Sequence, residues 1–274
     1  MHHLTARTLE HVALADRTYR IRLECPALAG AIRPGQFVML RLPGTTDPLL
    51  GRPFALYDTV LDETGTPIGI DVVYLVVGKM TGKLLDVRPD EPMQVWGPLG
   101  KPFHDVGTPE RVTLVAGGIG QTPFLAFARE LLGLRGYGGD PARRRTGRVS
   151  LYYGVRNASL AAGVDDFRTL GVDVHLASDD GSIGTRGLVT GLLESHGSTG
   201  PLIGCGPEPM LHALTKLASR WNVPCQVSLE TPMACGVGIC FSCVAKVRTA
   251  DGDWDYKRVC VDGPVFDAAG LVWE

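Results

Sequence analysis

Four cysteines stand in the pattern C-x4-C-x2-C-x16-C, at Cys235, Cys240, Cys243 and Cys260. That is the plant-type spacing for the thiolates of a [2Fe–2S] cluster. Three ligands in so short a stretch need a backbone that wraps closely around the inorganic sulfides, and Gly236 and Gly238 supply the unrestricted φ angles for such a loop. Structural zinc is the competing chemistry, but zinc sites usually present two separated cysteine pairs rather than three cysteines in one loop. Disulfides fit less well, because no secretion signal precedes this glycine-rich stretch.

A second group of residues is suited to phosphate. Val112 to Val115 reads as a buried strand, and Gly117-Gly118-Ile119-Gly120-Gln121-Thr122 follows it before an apolar helix. A glycine turn between strand and helix lets backbone amides approach a pyrophosphate closely. This is not G-x-G-x-x-G, so alone it is weak evidence, and a tight turn packing helix on sheet is the other reading. Ile203-Gly204-Cys205-Gly206-Pro207 repeats the strand and glycine turn further on, and two such turns define a crevice at a sheet's carboxyl edge. A third candidate is Arg52, followed by Pro53 and Phe54 between two apolar strands. Its guanidinium can pair with a diphosphate while the next backbone groups line a flat ring, although by itself the motif reads better as an exposed arginine on a hairpin. Gly78-Lys79-Met80-Thr81 offers amides and a hydroxyl that would complete such an anion site.

These groups need three supports. From Thr5 to about Phe103, short β-rich runs separated by Pro and Gly turns predict an antiparallel barrel, residues 1–103. Residues 104–224 alternate strand and helix patterns, the signature of a doubly wound parallel sheet. Residues 225–274 hold the cysteine loop and are expected to form a small cluster module. The glycine- and arginine-rich stretch from Gly136 to Arg148 reads as a solvated loop.

With 274 residues, 45% of them hydrophobic, the chain can bury two substantial cores. Its formal charge of −2 leaves no global basic field for nucleic acid or an anionic membrane. No stretch of about 18 apolar residues occurs, so a cytoplasmic protein is expected, with Cys25, Cys205 and Cys225 as free thiols.

Arg52-Pro53-Phe54, the Gly117 to Gly120 turn, Asp179-Asp180-Gly181-Ser182 and Cys205-Gly206-Pro207 together resemble the ferredoxin-NADP reductase superfamily. Within it, the tail ETPMACGVGICFSCVAKV with Lys257 to Phe266 resembles the electron-transfer subunits of class 1B dihydroorotate dehydrogenases. The resemblance spans essentially the whole chain. It implies FAD in the barrel, NAD(H) on the α/β domain and the [2Fe–2S] cluster in the tail. It places flavin contacts at Arg52, Pro53, Phe54 and Ala55, at Val73, Tyr74 and Leu75, and at Met80 and Thr81. Nicotinamide-nucleotide contacts fall at Gly117, Gly118, Gly120 and Thr122 and at Cys205, Gly206 and Pro207.

Two residues depart from the family pattern. Ala55 replaces a serine or threonine hydroxyl, and Met80 replaces a glycine of the diphosphate turn. The resemblance also implies an FMN-containing dihydroorotate dehydrogenase catalytic subunit as partner, in a heterotetramer with two of each chain, serving pyrimidine biosynthesis. A reductase subunit feeding a glutamate synthase, a hydrogenase or a ferredoxin is the alternative. Hydride transfer between nicotinamide and flavin needs no protein acid or base, so no catalytic residue is assigned. NADH is favoured over NADPH by the resemblance alone.

Overall fold

The computed structural model describes residues 1–273. Seven strands form the first sheet: β1 (His2–Ala15), β2 (Thr18–Glu24), β3 (Phe37–Arg41), β4 (Arg52–Ala55), β5 (Asp58–Leu61), β6 (Pro67–Leu75) and β7 (Pro92–Leu99). Their order is β4-β3-β7-β1-β2-β6-β5, and every pairing is antiparallel. Alternation drives the curvature. β7 buries Met93 and Val95 in the barrel core and leaves Gln94 and Trp96 more exposed, so its apolar side turns inward. Two short helices, α1 (Pro26–Ala29) and α2 (Lys79–Leu84), contribute Leu28 and Leu84 to the same core. The ladder does not close by hydrogen bonds, but Phe54 on β4 meets Tyr74 on β6 edge to face, with ring centroids 6.1 Å apart.

The second sheet begins with β8 (Arg111–Gly117), followed by α3 (Phe124–Leu131), β9 (Arg148–Val155), α4 (Val164–Arg168), β10 (Asp173–Ser178) and β11 (Thr185–Arg186). It continues through α5 (Val189–His196), β12 (Leu202–Cys205), α6 (Glu208–Trp221) and β13 (Cys225–Ser228). Its order is β11-β10-β9-β8-β12-β13-β16, where β16 (Val265–Asp267) is an antiparallel edge strand. The chain runs outward from β8 through β9 and β10, then crosses to β12 on the other side. The topological switch point of this parallel sheet therefore lies between β8 and β12.

Residues 225–274 do not all stand apart. β13 and β16 belong to the second sheet, while β14 (Val244–Arg248) and β15 (Trp254–Arg258) form a separate hairpin. The ligand loop lies between β13 and β14. All seven cysteines are free, and no helix among the described residues is long and apolar enough to cross a membrane.

The barrel meets the second sheet's domain through buried charge. Asp58 faces Arg129 and Arg135 at 3.0 Å each and accepts a hydrogen bond from the Tyr137 hydroxyl at 2.6 Å. The Tyr57 hydroxyl donates to Asp166. Tyr137 belongs to the stretch expected to be a solvated loop, yet it is 2% exposed. A phenol docked on a buried carboxylate gives this part of the stretch a structural job.

Candidate functional site

The cysteine loop is built on two left-handed glycines, Gly236 at φ +73° and Gly238 at φ +83°. Gly236 has a second constraint, since a Cβ there would lie 2.7 Å from Met39 Cγ and 3.1 Å from Leu99 Cδ1. The loop is thus pressed onto strands β3 and β7 of the barrel. Cys243 and Cys260 are buried in one apolar cluster with Phe37, Met39, Leu99 and Val259, whereas Cys240 is exposed.

The four thiols come together as two pairs. Cys240 shares a hydrogen bond with Cys235, and Cys260 with Cys243, with Cys235 also within electrostatic reach of Cys260. Among the described residues they do not close as a group of three or more on a single-ion position. Two thiolates per iron is what a binuclear cluster takes, so the paired arrangement fits it. The Val237 amide donates to Cys235 Sγ at 3.4 Å, and the Gly238 amide points at Cys260. Amides aimed at sulfur favour the thiolate form. Hydrogen bonds from Ser242 lower the Cys240 thiol to about 6, while burial pushes Cys260 up to about 12. A cluster held by these four thiols would have to displace a proton from Cys260.

At the switch point the two glycine turns touch. A Cβ on Gly120 would fall 2.2 Å from the Cys205 carbonyl oxygen, so only glycine permits this approach. Gly117 and Gly206 are packed against one another in the same way, Gly117 also against Pro207, whereas a Cβ on Gly118 would meet open space. Thr122 is buried at the start of α3, its amide donating to the Ile119 carbonyl. Cys205 ends β12, and burial raises its thiol to about 12, which keeps it protonated and unsuited to nucleophilic work. Gln121 was not singled out from the sequence. It is fully buried in this turn, and among the described residues neither end of its carboxamide has a partner. An orphaned amide beside a glycine-lined crevice fits a site that receives a polar ligand.

In the barrel, Arg52 donates only to the carbonyls of Leu50 and Gly51 and forms no ion pair among the described residues. Its charge is available to an anion. Pro53 and Ala55 are half-buried beside it, and Leu75 ends β6 half-buried. Phe54, Tyr74 and Met80 are packed in the barrel core, and Val73 on the other face of β6 is buried among Phe103 and Phe124. A flat ring along β4 and β6 would meet their backbone rather than their side chains. Met80 adopts an ordinary helical φ at its position in α2, so the departure from glycine costs no strain there. Thr81 Oγ1 accepts from the amides of Val77 and Gly78 at 3.0 Å each, and a Cβ on Gly78 or Gly82 would meet nothing. The turn therefore borders free space next to a rigid hydroxyl. An unpaired arginine and an open glycine turn fit a diphosphate.

Fold and sites together define a reductase of the ferredoxin-NADP reductase type that carries its own iron–sulfur module. A family model described as "Iron-sulfur cluster binding domain of dihydroorotate dehydrogenase B" matches residues 230–272. The chain is 33% identical over 273 residues to the dihydroorotate dehydrogenase B (NAD(+)), electron transfer subunit, of Desulforamulus reducens, covering 98% of both chains. The corresponding subunit of Geobacillus thermodenitrificans is 37% identical over 263 residues, with 94% of each covered. This chain belongs to the family of dihydroorotate dehydrogenase B electron-transfer subunits. Among solved structures, the NADH-dependent reduced ferredoxin-NADP oxidoreductase superposes with a TM-score of 0.79 at 26% identity, covering 98% of this chain and 90% of that one. Phthalate dioxygenase reductase shares the fold at a TM-score of 0.63 and 18% identity, with 94% of each chain covered.

Proposed function

We propose that this chain passes electrons from the FMN of a dihydroorotate dehydrogenase catalytic subunit to NAD, in the pyrimidine (UMP) biosynthetic reaction. Cys235, Cys240, Cys243 and Cys260 hold a [2Fe–2S] cluster. Arg52 to Ala55, Val73 to Leu75, Met80 and Thr81 hold FAD. Gly117, Gly118, Gly120, Thr122, Cys205, Gly206 and Pro207 line the nicotinamide nucleotide. FAD supplies the exchange between a two-electron hydride and single electrons. The chain's own residues bind and orient these groups: Arg52 pairs with the diphosphate, the two glycine turns bring backbone amides to the nucleotide, and Cys205 stays a neutral thiol.

The observation that carries this reading is the seating of the cluster loop. It lies on barrel strands β3 and β7, and β3 pairs directly with the Arg52 strand. On its outer side Ile239 is 80% exposed and Phe241 61%. Large apolar side chains at such exposure, next to an electron carrier, mark a surface that another subunit covers. The alternative in which both pack inward is not what these exposures describe. We assign the complex two copies of each chain and a cytoplasmic location, a reducing compartment in which Cys25, Cys205 and Cys225 persist as free thiols beside the cluster ligands.

Co-purifying the chain with a dihydroorotate dehydrogenase catalytic subunit from the same organism and assaying dihydroorotate-dependent NAD reduction tests the reading. Activity from the pair, and from neither chain alone, is expected. NADH-dependent reduction of a ferredoxin with no dihydroorotate activity would favour the second reading, to which the TM-score of 0.79 lends support.

A further inference from the structure

Trp96 stands between the two redox sites and belongs to neither residue set above. It lies on β7, and its indole Nε1 donates to the carbonyl oxygen of Cys235, the first cluster ligand, at 3.2 Å. The other end of the ring rests on the residue that precedes Arg52. A Cβ on Gly51 would lie 2.5 Å from Trp96 Cη2 and 2.9 Å from the Leu40 carbonyl oxygen, so the indole is packed directly on the Gly51 backbone. Register places Pro53, Met39 and Trp96 side by side in one row across β4, β3 and β7. Met39 in that row is the side chain on which Gly236 is seated.

A rigid two-ring side chain thus reaches from the backbone of the flavin strand to the peptide of a cluster ligand. A tryptophan N–H in a half-buried setting ordinarily finds some acceptor. Here that acceptor is a peptide whose position sets where Cys235 Sγ lies. The strand on which the ring rests is the one whose position sets where Arg52 lies. Resting on the function proposed above, we propose that Trp96 is a positioning residue that fixes the cluster loop against the flavin strand. It thereby sets the geometry of electron exchange between the two groups. A [2Fe–2S] cluster would carry one electron at a time, so the two electrons that leave as a hydride to NAD would have to reach the flavin in two such transfers.

Anaerobic stopped-flow with NADH tests this on the full chain, read as flavin bleaching followed by cluster bleaching, with iron content and the EPR spectrum of the dithionite-reduced cluster measured alongside. Trp96→Leu removes both the ring and the N–H; it should slow the second phase relative to the first by on the order of tenfold and broaden the EPR signal. Trp96→Phe keeps a ring against Gly51 but cannot donate, and should give a smaller slowing with shifted g values at full iron content. If Trp96→Leu does not load iron, Trp96→Phe decides. Unchanged g values and an unchanged ratio of phases in a fully loaded Trp96→Phe protein would overturn the proposal. A wild-type protein lacking flavin or cluster would overturn the functional reading itself, and the positioning role with it.

Discussion

Towards the α/β domain the barrel presents buried charge, with Asp58 held between Arg129, Arg135 and the Tyr137 hydroxyl. Towards the cluster loop it presents Met39, Leu99 and one indole N–H. The first interface is directional: the Asp58 carboxylate is held between two guanidinium groups and a phenol, and removing one partner strands the others. The second is apolar and close-fitting, and its specificity comes from shape at Gly236 together with one hydrogen bond. The difference suits the contents of each side. A hydride moves between flavin and nicotinamide only at contact distance, so that domain pairing must be fixed in register. Single electrons cross to a cluster without contact between the reacting atoms, and an interface of apolar packing is enough.

Four substitutions and one matched control would break or sharpen this contrast. The largest effect is expected at the cluster itself, because Cys243→Ser removes a buried thiolate that nothing nearby replaces. Iron analysis of the purified protein should show the cluster gone while bound flavin stays, and retention of full iron would remove Cys243 from the ligand set. Next, Asp58→Ala leaves two guanidinium groups facing a void. A loss of about 3–5 kcal/mol in denaturant unfolding is expected; a loss below about 1 kcal/mol would show that the charged interface is not what holds the domains in register.

A smaller cost is expected for Gly236→Ala, which forces a Cβ into Met39 at a left-handed backbone position. A destabilisation of about 1–3 kcal/mol together with lowered iron occupancy should follow. Gly78→Ala, whose Cβ would meet nothing, serves as the matched control and should leave iron content alone. The smallest effect on the isolated chain belongs to Phe241→Asp, an exposed position where stability should stay within about 0.5 kcal/mol. Gel filtration with the catalytic subunit should nonetheless show weakened assembly, and normal assembly with full dihydroorotate-to-NAD activity would move the docking surface elsewhere.

The parts of this architecture that are written locally were legible in the sequence. Cysteine spacing encodes the ligand loop within a few residues, and a glycine turn between strand and helix announces itself in the same short window. Arg52 could be proposed from the same kind of window, with its neighbours Pro53 and Phe54 adjacent in the chain. What the sequence hid depends on contacts between distant residues. Asp58 and Tyr137 are 79 positions apart, and Trp96 and Cys235 are 139 apart, so no local pattern links them. Tyr137 within a glycine-rich stretch was the available signal, since a lone aromatic there needs burial. β16 escaped because three residues carry too little alternation to mark a strand, and its place is decided by pairing with β13. Gln121 gave no warning either, since an amide between glycines and Thr122 reads as solvent-facing until its burial is seen.

The central claim, that one chain links a nicotinamide through flavin to a [2Fe–2S] cluster, is tested most directly by titrating the anaerobic purified chain with NADH while recording absorbance and EPR. The account predicts one FAD and one cluster per chain, flavin bleaching by NADH, and a rhombic EPR signal integrating to about one spin per chain on full reduction. Stoichiometric zinc in place of iron, or a colourless protein that NADH leaves unchanged, would contradict it.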